Sequence, residues 1–231
     1  LISILRRENR LTADYPARAQ ALFDEYHPIE IDHNVPLAEK VKAMEAWWRA
    51  HFVLLVESGM TMAELERAVM SAGVQLRDGV ANFFQEINKH NVPIVIISAA
   101  GLGEEAIALY LRERNLLSDN VHIVSNGFEW SETGHMIAFK EPVIHTCNKN
   151  ETVLKDFSFY PQIEKRKNVL LLGDSLEDVA MAAGIEHTEV LKIGFLNKNI
   201  EENQEKFLQT YDAVVVGDGD FMELNKIILG N

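Results

Sequence analysis

The apolar positions change rhythm about a third of the way along the chain. Before about residue 75 they recur every three or four residues, in ADYPARAQALFDEYH with Pro16 near its start, in PLAEKVKAMEAWWRAHFVLLVES over several turns, and in TMAELERAVMSAG. That period gathers them on one face, so each stretch predicts an amphipathic helix. The third is also punctuated: Thr61 and Glu64 stand at capping-box spacing before it, and Gly73 closes it. From about Gly79 helical stretches alternate with short aliphatic runs. VANFFQEINKH leads to VPIVIIS and GEEAIALYLRERN to VHIVSN; SLEDVAMAAG follows NVLLLGD, and NIEENQEKFLQTY lies between EVLKIGF and AVVVGD. FEWSETGHMIAF predicts a hairpin turning at Thr133 and Gly134. Strands aliphatic at nearly every position are buried on both faces, which calls for a parallel sheet covered by helices on each side. The expected fold is α/β: a doubly wound, Rossmann-like parallel sheet over residues 76–231, preceded by an α-helical cap subdomain over residues 1–75.

At 231 residues and 47% hydrophobic, the chain can bury a sizeable core. Its 22 Lys and Arg against 35 Asp and Glu give a formal charge of −13, which disfavours nucleic acid polymers and anionic membranes as partners. A small anion remains admissible where a metal ion reverses the local field. No apolar run approaches the roughly 18 residues of a spanning helix, and no signal-peptide pattern is seen. Cys147 is the single cysteine, so an internal disulfide is impossible and a reducing, cytoplasmic setting is the expectation. Oligomeric state leaves no mark on the pattern.

In doubly wound sheets ligands bind beyond the carboxyl ends of the strands. Those ends here are Ser98, Ser125 with Asn126, Asp174, and Asp218. Asp174 closes an aliphatic strand and Asp178 follows one helical turn later, so both carboxylates can face the mouth of the sheet. Such oxygens suit Mg²⁺, which takes one or two carboxylates plus phosphate oxygens, and Asp174 is the metal candidate. Ser175 and Asp178 fit an ordinary S-x-x-D helix start equally well. Ser98 precedes AAGLG, a turn into a helix near Gly103, where its hydroxyl and the first helical amides form either a phosphate cradle or a plain strand-to-helix turn. Lys149, in HTCNKNE, is either a point charge for a phosphoryl group or a solvated lysine. GLGEEA, residues 101–106, fits the dinucleotide pattern G-x-G-x-x-A. Against that reading, Glu104 and Glu105 would repel a pyrophosphate, and the next strand ends in Asn126 rather than an acid.

Taken together, IISAAG, NKNE and LLLGDSLED resemble the second, third and fourth motifs of the haloacid dehalogenase (HAD) superfamily, in that order. More narrowly, HPIEID, NFFQEI, VHIVSN, SETG, VLKIGFLN and YDAVVV resemble the cytosolic 5'-nucleotidase III family, the pyrimidine 5'-nucleotidases, from about Leu11 to the C-terminus. The resemblance implies a HAD-like core with a helical cap and a cytoplasmic, Mg²⁺-dependent hydrolase. Its substrates would be nucleoside 5'-monophosphates, either pyrimidine ones such as CMP and UMP or 7-methyl-GMP, and its route an aspartyl-phosphate. It further implies that Ser98 and Ala99 bind the phosphoryl group and Lys149 neutralises it. Asp174 would ligate Mg²⁺ and Asp178 hold the metal's outer shell, while Glu30 and Trp48 in the cap would receive the nucleotide. Base preference would depend on how Glu30, Met44, Trp48 and His51 are posed. The superfamily's first motif, D-x-D-x-T, whose first aspartate is the nucleophile, is absent; DGD at residues 218–220 closes the last strand and does not match its place. The resemblance puts that motif upstream of Leu1, so a longer natural chain is the expectation. A catalytically dead nucleotide-binding protein on the same scaffold is the alternative.

Overall fold

The computed structural model describes residues 2–8, 10–32, 34–149, 154–183 and 186–229. Asn150 and Glu151 of NKNE, and Gly184 at the end of SLEDVAMAAG, lie outside the described residues. The chain forms two compact units. The first comprises Leu1–Val74, Ser98–Leu117 and Ile123–Asn148; the second comprises Gln75–Ile97, Ser118–His122 and Lys149–Asn231.

Four helices open the first unit: α1 (Ile2–Glu8), α2 (Tyr15–Ile31), α3 (Leu37–Glu57) and α4 (Met62–Ser71). Thr61 caps α4 as its spacing predicts, its hydroxyl accepting from the Glu64 amide at 3.2 Å. The unit draws in later segments because the helices alone do not close its core. Helix α6 (Gly103–Arg112) and the hairpin of β3 (Phe128–Trp130) and β4 (Met136–Phe139) complete it. Phe128 and Phe139 of the hairpin pack edge-on and tilted against Phe52 of α3, at ring distances of 5.3 and 5.4 Å. The hairpin also hydrogen-bonds to the start of α4, Met136 N donating to Met60 O and Met62 N to Gly134 O, each at 2.9 Å. Gly134 takes φ +77° in the turn, a conformation that glycine adopts without strain.

The second unit carries α5 (Val80–Lys89), most of β1 (Ile94–Ser98), the start of β2 (Val121–Ser125), α7 (Tyr160–Ile163) and β5 (Asn168–Gly173). After a 3₁₀ helix at Leu176–Ala182 come β6 (Glu189–Leu196), α8 (Ile200–Thr210), β7 (Ala213–Val216) and α9 (Met222–Leu229). Strands β5, β6 and β7 form a parallel sheet in that order, with Asn168 opposite Glu189 and Gly173 opposite Gly194. Alternate side chains of β5 go to opposite faces. Leu170 and Leu172 pack with Phe83, Phe195 and Phe221, while Leu171 packs with Leu196, Phe207 and Tyr211. Both faces are thus covered, as the unbroken aliphatic runs predict. Among the described residues the sheet is not continuous: β1 and β2 pair as a two-stranded sheet, and β5 has one partner, β6. SLEDVAMAAG also departs from expectation, winding as a 3₁₀ helix rather than an α-helix.

Candidate active site

Strand β5 is apolar up to Gly173, where the chain leaves the sheet and exposes Asp174. Asp178, on the 3₁₀ helix, turns inward until its side chain is only 4% exposed. Three donors hold it there. Lys149 Nζ donates to Oδ1 at 2.9 Å, while the backbone amides of Asp174 and Ser175 donate to Oδ2 at 2.9 and 3.1 Å. Burial pushes the Asp178 carboxyl up, but the Lys149 charge and the three hydrogen bonds outweigh it and leave the group below its ordinary value. Asp174 moves the opposite way: desolvation of its carboxyl, followed by the neighbouring Asp178 charge, raises it. One carboxylate is therefore committed to a cation and to the loop backbone. The other is exposed, close to a like charge, and electrostatically short of a cation.

Tyr211, at the end of α8, was not singled out by sequence reasoning. Its hydroxyl donates to the Ser175 carbonyl, pinning the loop between the two acids from below. Glycines make room for the ring. A Cβ on Gly173 would lie 2.6 Å from the Tyr211 hydroxyl and 2.6 Å from the Asp178 Cβ, and one on Gly194 would lie 2.6 Å from the Tyr211 ring. Gly173 and Gly194 face each other in register on β5 and β6.

The remaining sequence candidates belong to the first unit. Ser98 ends β1, and its carbonyl accepts from the Ser125 hydroxyl at 2.7 Å. Ala99 follows in the same half-buried turn. Trp48 of α3 reaches this turn, its ring edge lying 2.8 Å from where a Cβ on Gly101 would be. It also stacks on Phe52 at 5.7 Å and on Trp47 at 5.9 Å, whereas Trp47 faces Tyr26 of α2 at 6.0 Å. Glu30 is half-buried near the end of α2, 3.2 Å from His27 Nδ1. Met44 and His51 are fully buried core residues and do not line an open surface. The start of α6 differs from the phosphate-cradle expectation. Gly103 N donates to Ala100 O at 3.1 Å and Glu104 N to Asn126 O at 2.8 Å, so these amides are already engaged. A Cβ on Gly103 would strike the Phe128 ring at 2.6 Å and the Asn126 carbonyl at 2.7 Å; this glycine serves packing and not the approach of a dinucleotide.

Residues 2–230 match the family model of pyrimidine 5'-nucleotidase (UMPH-1). The chain belongs to the pyrimidine 5'-nucleotidase family. A 7-methylguanosine phosphate-specific 5'-nucleotidase of Gallus gallus is 36% identical over 227 residues, covering 98% of this chain and 78% of that protein. The crystal structure of cytosolic 5'-nucleotidase IIIB bound to cytidine superposes with a TM-score of 0.84 at 32% identity, over 98% of this chain and 75% of that one. A phosphoserine phosphohydrolase-like protein from Francisella tularensis subsp. tularensis SCHU S4, 15% identical over 97% of this chain and 90% of its own with a TM-score of 0.55, shares the mixed α/β fold. Members of this 5'-nucleotidase family are hydrolases, and the acids at the end of β5 have the donor chemistry that a phosphate-handling member needs. The exposed carboxylate of Asp174 is an oxygen ligand of the type Mg²⁺ prefers. No group of three or more His, Cys, Asp or Glu suited to a metal is present among the described residues. No helix of the described residues is long and apolar enough to cross a membrane.

Proposed function

We propose that the protein is a Mg²⁺-dependent phosphomonoesterase that converts nucleoside 5'-monophosphates to nucleoside and phosphate. The observation that carries this reading is the pairing of a buried, Lys149-bound Asp178 with an exposed Asp174 of raised pKa at one strand end. Asp174 would hold Mg²⁺, which when bound supplies positive charge to the phosphoryl oxygens. Asp178 fixes the Lys149 ammonium, so that it meets a phosphoryl oxygen as a placed charge and not a mobile one. Ser98 and Ala99 are assigned the phosphoryl group by resemblance, and Glu30 and Trp48 the nucleoside. Covalent transfer needs the carboxylate of a D-x-D-x-T motif. That carboxylate attacks phosphorus, the nucleoside oxygen leaves and takes a proton from the motif's second aspartate, and water then cleaves the acyl phosphate. The motif is not among these 231 residues.

Relatives support both substrate classes, one being named for 7-methylguanosine phosphate and another having cytidine bound. The test is phosphate release from CMP, UMP and 7-methyl-GMP by protein carrying D-x-D-x-T. Release should require Mg²⁺ and fall at least about a hundredfold in Asp174→Asn, the loss of one transition-state electrostatic contact. Activity that survives both chelation and the substitution rejects the proposal. A second reading is nucleotide binding without turnover on the same scaffold. Calorimetric binding of CMP together with no phosphate release, even after the motif is supplied, would establish it.

A further inference from the structure

Residues 141–149 have no regular secondary structure, yet Val143, Ile144 and His145 are buried. Backbone that is buried outside a helix or a ladder still needs partners for its N–H and C=O groups. Two asparagine side chains supply them. The Asn126 carboxamide accepts from Ile144 N at 2.8 Å and donates to Ile144 O at 2.9 Å. A donor and an acceptor side by side match one residue of backbone, so this side chain stands in for a rung of sheet. Asn148 does the same across the loop, accepting from His145 N at 2.7 Å and donating to Val143 O at 2.8 Å. Lys149 is the next residue along the chain.

Asn126 also holds a second segment. It follows β2, is 1% exposed, and its Nδ2 reaches Ala100 O at 3.4 Å. Its neighbour Ser125 donates to Ser98 O at 2.7 Å, and its own carbonyl accepts from Glu104 N at 2.8 Å. The turn after β1 and the loop before Lys149 are therefore tied to one buried side chain, and all of these bonds lie within the first unit. The chemistry demands an amide. Ile144 O and Ala100 O need N–H donors while Ile144 N needs an oxygen, a set that neither a carboxylate nor an aliphatic group provides.

We propose that Asn126 is a positioning residue for phosphoryl transfer. It locks the turn that carries Ser98 and Ala99 to the loop that leads into Lys149, so that these groups are set before a phosphate monoester arrives. The inference rests on the phosphoryl roles proposed above for those three residues.

Asn126→Asp keeps the shape and the acceptor and removes both donors. The assay is phosphate release from CMP with Mg²⁺, by protein carrying D-x-D-x-T. With the introduced carboxyl ionised, kcat should fall about a hundredfold, the cost of about 1 Å of misplacement, while KM moves less than about threefold. The ratio of variant to parent kcat should recover as pH falls, because a protonated carboxyl donates again. Thr61→Ala, which removes a helix cap in the same unit, should leave kcat unchanged. Should Asn126→Asp fail to fold, Asn148→Asp removes the donor to Val143 O and is read the same way. Its expected loss in kcat is about tenfold, that of one neutral hydrogen bond orienting the loop. Hydrogen exchange gives a reading without turnover: in Asn126→Asp it should quicken in residues 99–104 and 143–148 together and stay unchanged in α4. Four results would overturn the proposal: an unchanged kcat, a loss carried by KM alone, a ratio independent of pH, or faster exchange in one segment only. A parent protein that releases no phosphate refutes the phosphomonoesterase reading and this inference with it. An active parent with an unaffected Asn126→Asp refutes this inference alone.

Discussion

Replacing Lys149 with methionine keeps most of the side-chain bulk and removes the ammonium. In the native chain Asp178 is 4% exposed and Lys149 14%, so the carboxylate loses its cation in a place water reaches poorly. Removing one partner of a buried pair costs about 3–5 kcal/mol. Asp178 would still accept from the amides of Asp174 and Ser175 at 2.9 and 3.1 Å, and charged hydrogen bonds of this kind are worth about 1.5–3 kcal/mol each. Those surviving donors place the expected cost at the lower end, about 3 kcal/mol at pH 7. Urea unfolding followed by far-UV circular dichroism is the suitable assay. Indole emission is not, because Trp47, Trp48 and Trp130 all belong to the first unit and Lys149 to the second. An acid series supplies the sign. Asp178 has a lowered pKa in the native fold, so its contribution is present above the unfolded value of 3.8 and is lost as pH falls through the folded value. In Lys149→Met burial is no longer opposed by a cation, the folded pKa rises, and the ionised carboxyl penalises folding at neutral pH. The stability gap between the two proteins should be full at pH 7 and close as Asp178 takes up its proton. A cost below about 1 kcal/mol, less than an ordinary buried ion-pair loss, would refute the reasoning. So would a gap that persists unchanged into acid.

Burial, and then the Arg6 charge, lower the pKa of His51 from 6.5 to about 4. Its contribution should be complete above pH 6.5 and lost as pH falls towards about 4, at most about 3 kcal/mol; indole-monitored melting across that range should show the slope, and His51→Phe should flatten it. Thr61→Ala should cost about 1 kcal/mol by removing the cap of α4, and Thr61→Ser should cost little, both measured by urea unfolding followed through indole emission. Tyr211→Phe removes the donor to the Ser175 carbonyl and should cost about 1 kcal/mol. Because the released loop carries Asp174, Mn²⁺ binding followed by electron paramagnetic resonance should also weaken severalfold without a change in the circular dichroism spectrum.

What could be read from the sequence was what is local. An aliphatic run that ends in an acid marks where a covered strand leaves the sheet, and Asp174 is found there. Thr61 and the turn at Gly134 are likewise set by residues within a few positions of themselves. The engaged amides of α6 were not legible, because the carbonyl that occupies one of them, Asn126 O, comes from beyond the next strand. Nor was Tyr211. It lies 36 residues from Ser175, and its place becomes evident only once the register sets Gly173 beside Gly194 and leaves room for a ring. A pair of glycines ending two neighbouring parallel strands was the available signal, but reading it requires the pairing. Met44 and His51 recur at helical spacing with the other apolar residues of α3, yet periodicity alone does not say which neighbours cover a helix face.

The charges at the end of β5 also dictate an order of events. Asp174, Glu177 and Asp178 set three negative charges against the single positive charge of Lys149, within a protein of formal charge −13. Even with the Lys149 ammonium placed to meet it, an arriving phosphate dianion faces a net negative charge. At about 5 Å and an effective dielectric of about 20, each pair of like unit charges costs about 3 kcal/mol, and a dianion carries two. That penalty is comparable to the whole gain expected from a placed ammonium, so the loop as it stands repels the group it would have to bind. A divalent ion on Asp174 reverses the balance by cancelling two charges at once. Desolvation, and then the neighbouring Asp178 charge, raise the pKa of Asp174, and a bound proton relieves part of what a metal would relieve in full. On this argument the cation precedes the anion, and affinity for a phosphate monoester should track occupancy of Asp174 by metal.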